Sequence, residues 1–182
     1  MNLIKTKIED VIILEPNIFR DERGSFIESF NKKNLNNLIG NINFVQENES
    51  MSHKDVLRGL HFQNPPFAQS KLVRCVRGEI LDIALDLRKK SKSYGQHVTS
   101  LLSEKNKKAI FIPKGFAHGF LVLSESAVIS YKVDNYYKPD YENGVLWNDK
   151  DLKIDWKINS EEVILSEKDK NLAKFSKINN PF

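Results

Sequence analysis

One cysteine stands among the 182 residues, so no intramolecular disulfide can form. Cys75 lies within the apolar run Leu-Val-Arg-Cys-Val, a setting that predicts a buried structural thiol and not a nucleophile. No apolar run approaches the roughly 20 residues needed to span a bilayer, and the N-terminal stretch Met-Asn-Leu-Ile-Lys-Thr-Lys-Ile has no signal-peptide core. A membrane partner is therefore not expected, and the cytoplasm is the expected location. There is no arginine-rich arm and no block of like charge. The net charge of +4 comes from 28 basic against 24 acidic residues and does not imply nucleic acid, although it suits an anionic small molecule. Internal repeats, low-complexity tracts and linkers are also missing, so residues 1–182 are expected to form one domain.

What is present is a series of short strand-like runs separated by turns. Val11–Leu14 closes at Glu15-Pro16, and the charged turn Phe19-Arg20-Asp21-Glu22-Arg23-Gly24 leads into Ser25–Phe30. Asn31 is placed to cap a short helix carrying Leu35, Leu38 and Ile39, with Gly40 at its end. Strand character returns at Phe44–Met51, on both sides of Pro65-Pro66, and at Glu79–Leu87, where Leu81, Ile83, Leu85 and Leu87 give one fully aliphatic face. Gly95–Leu102, Ala109–Ile112, His118–Leu123, Ala127–Val133 and Asn135–Tyr137 continue the pattern, and Ser166-Glu167-Lys168-Asp169 has a helix-capping sequence. So many short strands with so little helix predict an all-β sandwich or barrel.

The stretch Val56–Gly78 places Arg58, His61 and Lys71 on or beside runs that otherwise look like barrel wall. Burying such groups is costly unless they are paired, so they lie either on a solvated sheet face or in a cavity that uses them. Of four histidines, His53 and His97 have polar neighbours and are expected at the surface. His118 follows the turn Pro113-Lys114-Gly115 into a strand. That arrangement resembles the second motif of cupin barrels. Their first motif supplies His-x-His and a glutamate ahead of a glycine, whereas this chain has His61-Phe62-Gln63 and Lys71 before Gly78. An ammonium and an amide make poor ligands for a divalent metal, so no metal is expected. A cation and a histidine in an apolar cavity suit proton abstraction beside a carbonyl. The ammonium stabilises the enolate, and the histidine, which ionises near working pH, takes the proton. Inversion further needs a donor on the other face. Tyr131 is a candidate, with a barrel-wall tyrosine as the plain alternative.

Taken together, the motifs Phe-x-Asp-Glu-Arg-Gly, Val-Gln-x-Asn, Arg-Gly-Leu-His-Phe-Gln, Ala-Gln-x-Lys-Leu-Val, Pro-x-Gly-Phe-Ala-His-Gly-Phe, Leu-Trp-Asn-Asp and Leu-Ser-x-Lys-Asp, in that order from about Ile8 to Asp169, resemble the dTDP-4-dehydrorhamnose 3,5-epimerases. The resemblance implies a cupin-type jelly-roll β-barrel with a few short helices. It also implies a homodimer with a segment exchanged near the site, a nucleotide-diphosphate sugar as substrate, and no cofactor. By the same resemblance His61 is the base, Asp169 its carboxylate partner, Tyr131 the opposing proton donor and Lys71 the group that holds the C4 oxygen. Arg58, His118, Gln46, Glu47 and Asn48 line the sugar and diphosphate site. Phe19, Arg23 and Glu28 reach the nucleotide from the partner subunit, and Glu142 and Lys168 stand at the rim. Residue by residue, Asp169 also fits a plain capping role through Ser166. The loop Asn64-Pro65-Pro66-Phe67, with Glu49 and Arg20, departs from the family pattern. It leaves open a GDP-linked 4-keto-6-deoxy-heptose as substrate, or a sugar-binding barrel without catalysis.

Overall fold

The structure is a computed structural model that describes residues 1–182. Thirteen strands form the framework: β1 (Asn2–Lys5), β2 (Ile12–Glu15), β3 (Phe19–Asp21), β4 (Gly24–Phe26), β5 (Gln46–His53), β6 (Leu57–Gln63), β7 (Lys71–Arg77), β8 (Glu79–Asp86), β9 (His97–Ser103), β10 (Ala109–Ile112), β11 (Phe116–Val122), β12 (Ser126–Val133) and β13 (Glu142–Gly144). Two short helices, α1 (Lys32–Ile39) and α2 (Glu167–Lys170), complete it. The strands assemble into a six-stranded sheet ordered β1-β2-β10-β7-β12-β5 and a five-stranded sheet ordered β13-β6-β11-β8-β9, with β3-β4 as a separate hairpin. All these strand pairs are antiparallel. The expected jelly roll is the fold the chain forms. No helix is long and apolar enough to cross a membrane.

The core lies in three layers. Between the sheets, Val73, Cys75, Ile110, Ile112 and Ile129 of one meet Ile80, Ala84, Val98, Leu102 and Phe120 of the other. Each such side chain, fully buried, contributes about 1.5–3 kcal/mol. Outside the five-stranded sheet, Leu81, Ile83, Leu85 and Leu87 pack under Val145, Trp147, Leu152 and Trp156 of the C-terminal segment. The aliphatic face of β8 is thus the outer one, and the face bearing Asp82 and Asp86 turns toward the second sheet. Outside the six-stranded sheet, Leu35 of α1 covers Leu14, Leu72 and Phe111. Asn31 caps α1 by accepting a hydrogen bond from the Asn34 N–H at 3.1 Å, as its sequence predicts. Cys75 is buried, donates to the Arg77 carbonyl at 3.0 Å, and is pushed by burial up to about 11. Two expectations are corrected. Asn135–Tyr137 forms a loop and no strand, and His97 is half-buried on β9, where burial and then Lys7 lower its pKa.

β6 and β11 approach unusually closely where Gly59 faces Gly119, beside a register shift between His118 and Phe120. A Cβ on Gly119 would stand 2.7 Å from the Arg58 carbonyl oxygen, which is backbone and cannot yield cheaply. Gly119→Ala is therefore expected to destabilise the protein by about 1–3 kcal/mol through overpacking. Urea unfolding measures this, and an unchanged midpoint would show that the strands separate freely there.

Candidate active site

Between the two sheets opens a cavity of about 710 Å³, within the range of small-molecule sites. Its walls differ in origin. The five-stranded sheet supplies Arg58, His61 and Gln63 from β6 and His118 from β11. The six-stranded sheet supplies Gln46, Asn48, Glu49 and Ser50 from β5, Lys71 from β7 and Tyr131 from β12. The C-terminal segment closes one side with Ile164, Leu165, Ser166, Lys168 and Asp169.

His61 Nε2 lies 2.6 Å from Asp169 Oδ1, and Asp169 is 3% exposed. This commits one ring nitrogen to the carboxylate and leaves the other for chemistry. Burial pushes the Asp169 carboxyl up, but the His61 ring, the Gly59 N–H and Ser166 outweigh it and hold the group below the usual carboxylate range. Ser166 caps α2 by accepting from the Asp169 N–H at 3.1 Å, so the capping motif uses the backbone of Asp169 and frees its side chain. A second pair stands alongside. His118 is the direct cross-strand neighbour of His61, and its Nε2 lies 2.7 Å from Oδ2 of the fully buried Asp82.

On the opposite wall, Lys71 Nζ sits 6.0 Å from the centre of the Tyr131 ring. Burial lowers Lys71 to about 8, with Glu142 and Asp82 opposing the shift. Burial raises Tyr131, opposed by Asn48 and Arg58, so the hydroxyl keeps its proton at working pH. At the mouth, Glu142 accepts from the Tyr137 hydroxyl at 2.5 Å and pairs with Lys168. Burial raises the Glu142 carboxyl, and the hydrogen bonds from Lys168 and Tyr137 outweigh that and lower it. No three His, Cys, Asp or Glu side chains converge as metal ligands would.

The decisive comparison is with protein families. The family model described as dTDP-4-dehydrorhamnose 3,5-epimerase matches residues 5–177. The chain belongs to that family. It is 52% identical over 176 residues to the Shigella flexneri dTDP-4-dehydrorhamnose 3,5-epimerase, covering 96% of each chain. Its fold is similar to that of the family member from Elizabethkingia anophelis, with a TM-score of 0.94, 50% identity and coverage of 99% and 98%. It is equally similar, at 0.94 and 46% identity over 98% and 94%, to the Legionella pneumophila dTDP-6-deoxy-D-glucose-3,5-epimerase solved with dTDP-4-keto-L-rhamnose.

Within this family framework most expected residues converge on the cavity. His61, Tyr131, Lys71, Asp169, Arg58, His118, Gln46, Asn48, Glu142 and Lys168 all line it. Glu47 does not. It faces outward, accepting from Ser130 Oγ at 2.7 Å and pairing with Lys132, because alternation along β5 turns Gln46 and Asn48 inward and Glu47 away. Phe19 and Arg23 lie on the β3–β4 hairpin beside a separate surface hollow, and Glu28 accepts from Asn31 and Asn34 at the start of α1. Tyr137 and Asp82 were not singled out by motif. An isolated tyrosine in a polar loop and an aspartate in an alternating strand carry no local mark of a site. Among the family departures, Glu49 lines the cavity, Arg20 belongs to the hairpin, and Asn64–Phe67 stays outside the lining.

The Lys71 shift has a thermodynamic consequence. A folded pKa of about 8 lies below the unfolded lysine value of about 10.4, so the unfolded chain holds the proton longer as pH rises. Relative to Lys71→Met, the wild type is expected to gain stability between those two pH values. Parallel urea titrations check this, and a flat difference would mean that the ammonium is not desolvated.

Proposed function

We propose that the protein epimerises a dTDP-linked 4-keto-6-deoxy sugar at C3 and C5, converting dTDP-4-dehydro-6-deoxyglucose to dTDP-4-dehydrorhamnose. The observation that carries this reading is the opposition of His61–Asp169 on one sheet to Lys71 and Tyr131 on the other, across one cavity. C3 and C5 both flank the C4 carbonyl, so each proton is acidified by the same oxygen. His61 removes the proton as general base, its ring held by Asp169. The charge moves to the C4 oxygen, where the Lys71 ammonium stabilises the enolate. Tyr131 then delivers a proton from the opposite wall, and the configuration inverts. The sugar turns over its two flanking carbons in succession with the same pair of groups. Arg58 and Lys168 supply positive charge for the diphosphate. Residues 1–182 work in this reading as one catalytic unit in the cytoplasm.

The hairpin enters the same reading. Phe19 and Phe26 are 60% and 68% exposed, two aromatic rings 6.4 Å apart with little of their own chain to cover them. We infer a homodimer in which this hairpin, with Arg23 and Glu28, reaches the partner's cavity mouth. Such an exchange explains how family positions so far from their own cavity belong to a site.

Heavy water tests the chemistry. The wild type is expected to place deuterium at both C3 and C5 of the substrate. His61→Ala should abolish exchange, a loss of about 10²–10⁴-fold. Tyr131→Phe should keep exchange while losing epimerised product, and equal loss of both would assign Tyr131 to positioning instead of proton return. Mixing tests the dimer. Arg23→Ala and His61→Ala chains, refolded together, should regain up to about a quarter of wild-type activity, since half the dimers then hold one intact site. No regain would place Arg23 in its own subunit's site.

A further inference from the structure

Gln63 occupies a position where metal-binding cupins carry a histidine, but its amide is fully engaged elsewhere. The side chain is 4% exposed. Its Nε2 donates to the Phe67 carbonyl at 2.7 Å and to the Tyr136 carbonyl at 3.2 Å, and its Oε1 accepts from the Lys138 N–H at 2.7 Å. From the other sheet, Gln46 Oε1 accepts from the Tyr137 N–H at 3.1 Å. Three successive backbone groups around Tyr137 are thus held by side-chain amides and not by a strand neighbour. The ring is held at its far end as well, because the hydroxyl donates to Glu142, and Glu142 is the direct cross-strand partner of Gln63. Yet the residue remains 48% exposed at the cavity mouth. A half-exposed aromatic ordinarily keeps rotamer freedom that a ligand must remove on binding. Here that ordering is completed on folding.

We propose that Gln63 is a positioning residue for the nucleotide end of the substrate. By clamping residues 136–138 it fixes the Tyr137 ring as a preorganised aromatic wall at the mouth. The inference rests on the epimerase reading and adds to it. Gln63 touches none of the reacting atoms, so its removal weakens binding far more than turnover at saturation.

Calorimetric titration with dTDP alone tests this apart from catalysis. Gln63→Leu is expected to weaken dTDP about tenfold, the scale of one base–aromatic contact. Tyr137→Ala should weaken it similarly. The double variant should be no weaker than either single one, because both changes remove the same ordered ring. Gln63→Glu keeps the shape and the acceptor for Lys138 but loses donation to Tyr136 and Phe67, and carries the same expectation if the leucine variant does not fold. Additive losses, or wild-type dTDP affinity in the Gln63 variants, would overturn the proposal, as would a loss confined to kcat. A wild type that neither binds dTDP nor exchanges deuterium would instead remove the epimerase reading, and this inference with it.

Discussion

The pairing of His61 Nε2 with Asp169 Oδ1 joins residues 108 positions apart, and the site exists only when the C-terminal segment is packed against β6. Several weaker ties bring that segment into place. The Leu57 N–H donates to the Ile164 carbonyl at 3.0 Å, and the Ile164 N–H donates to the Asp55 carbonyl at 2.9 Å. Ser166 then starts α2 and orients Asp169. Behind these, Trp147 and Trp156 press on the outer face of β8 and β11, with Trp156 Nε1 donating to the Trp147 carbonyl at 2.8 Å. The outer apolar layer therefore does more than stabilise. It fixes the carboxylate that orients the base, and removing that carboxylate would leave a half-buried histidine without its acceptor.

Most of the framework was legible along the chain because its signals are local. The cap at Asn31, the alternation in β8 and the capping motif at Ser166 each depend on residues within a few positions. The absent metal ligands were legible too, since Lys71 and Gln63 stand where donors would. The misreadings share a different cause. Asn135–Tyr137 has the aromatic content of a strand, but its backbone groups are taken by Gln46, Gln63 and Gln69, which lie far away in sequence. Glu47 carries the same charge as a ligand-binding carboxylate, and only the strand's two-residue period decides that it faces Lys132 outside. Asp82 looked like one polar position among several, and only the register of β8 against β11 brings it beneath His118. Phe19, Arg23 and Glu28 carry family motifs whose site a single chain does not complete.

The loop Asn64–Phe67 illustrates how a departure in sequence can act at a distance from the ligand. It does not line the cavity, so it does not read the substrate directly. Phe67 stacks edge-on against Tyr141 at 4.5 Å, and Pro66 accepts a hydrogen bond from Asn135 at 3.0 Å. The loop thus buttresses the segment that carries Tyr137. Variation there changes how firmly the mouth is held and leaves the acid–base groups untouched. A larger or different nucleotide would have to be accommodated by the lining itself, where Glu49 is the departure that faces the cavity.

The two-sheet architecture also accounts for why inversion chemistry suits this fold. A base and an acid that act on opposite faces of one ring must stand on opposite walls, at a separation the ring itself fills. A single sheet face cannot arrange this, because neighbouring side chains on it point the same way. Two facing sheets do so with no special backbone. β6 and β11 then provide two histidine–carboxylate pairs, and β7 and β12 provide the ammonium and the phenol. The cost falls on the core, since every one of these groups displaces an apolar contact between the sheets. Pairing each imidazole with its own buried carboxylate limits that cost on one wall. On the other wall Lys71 has no such partner, and its lowered pKa records the unrelieved desolvation that makes its charge effective toward an oxyanion.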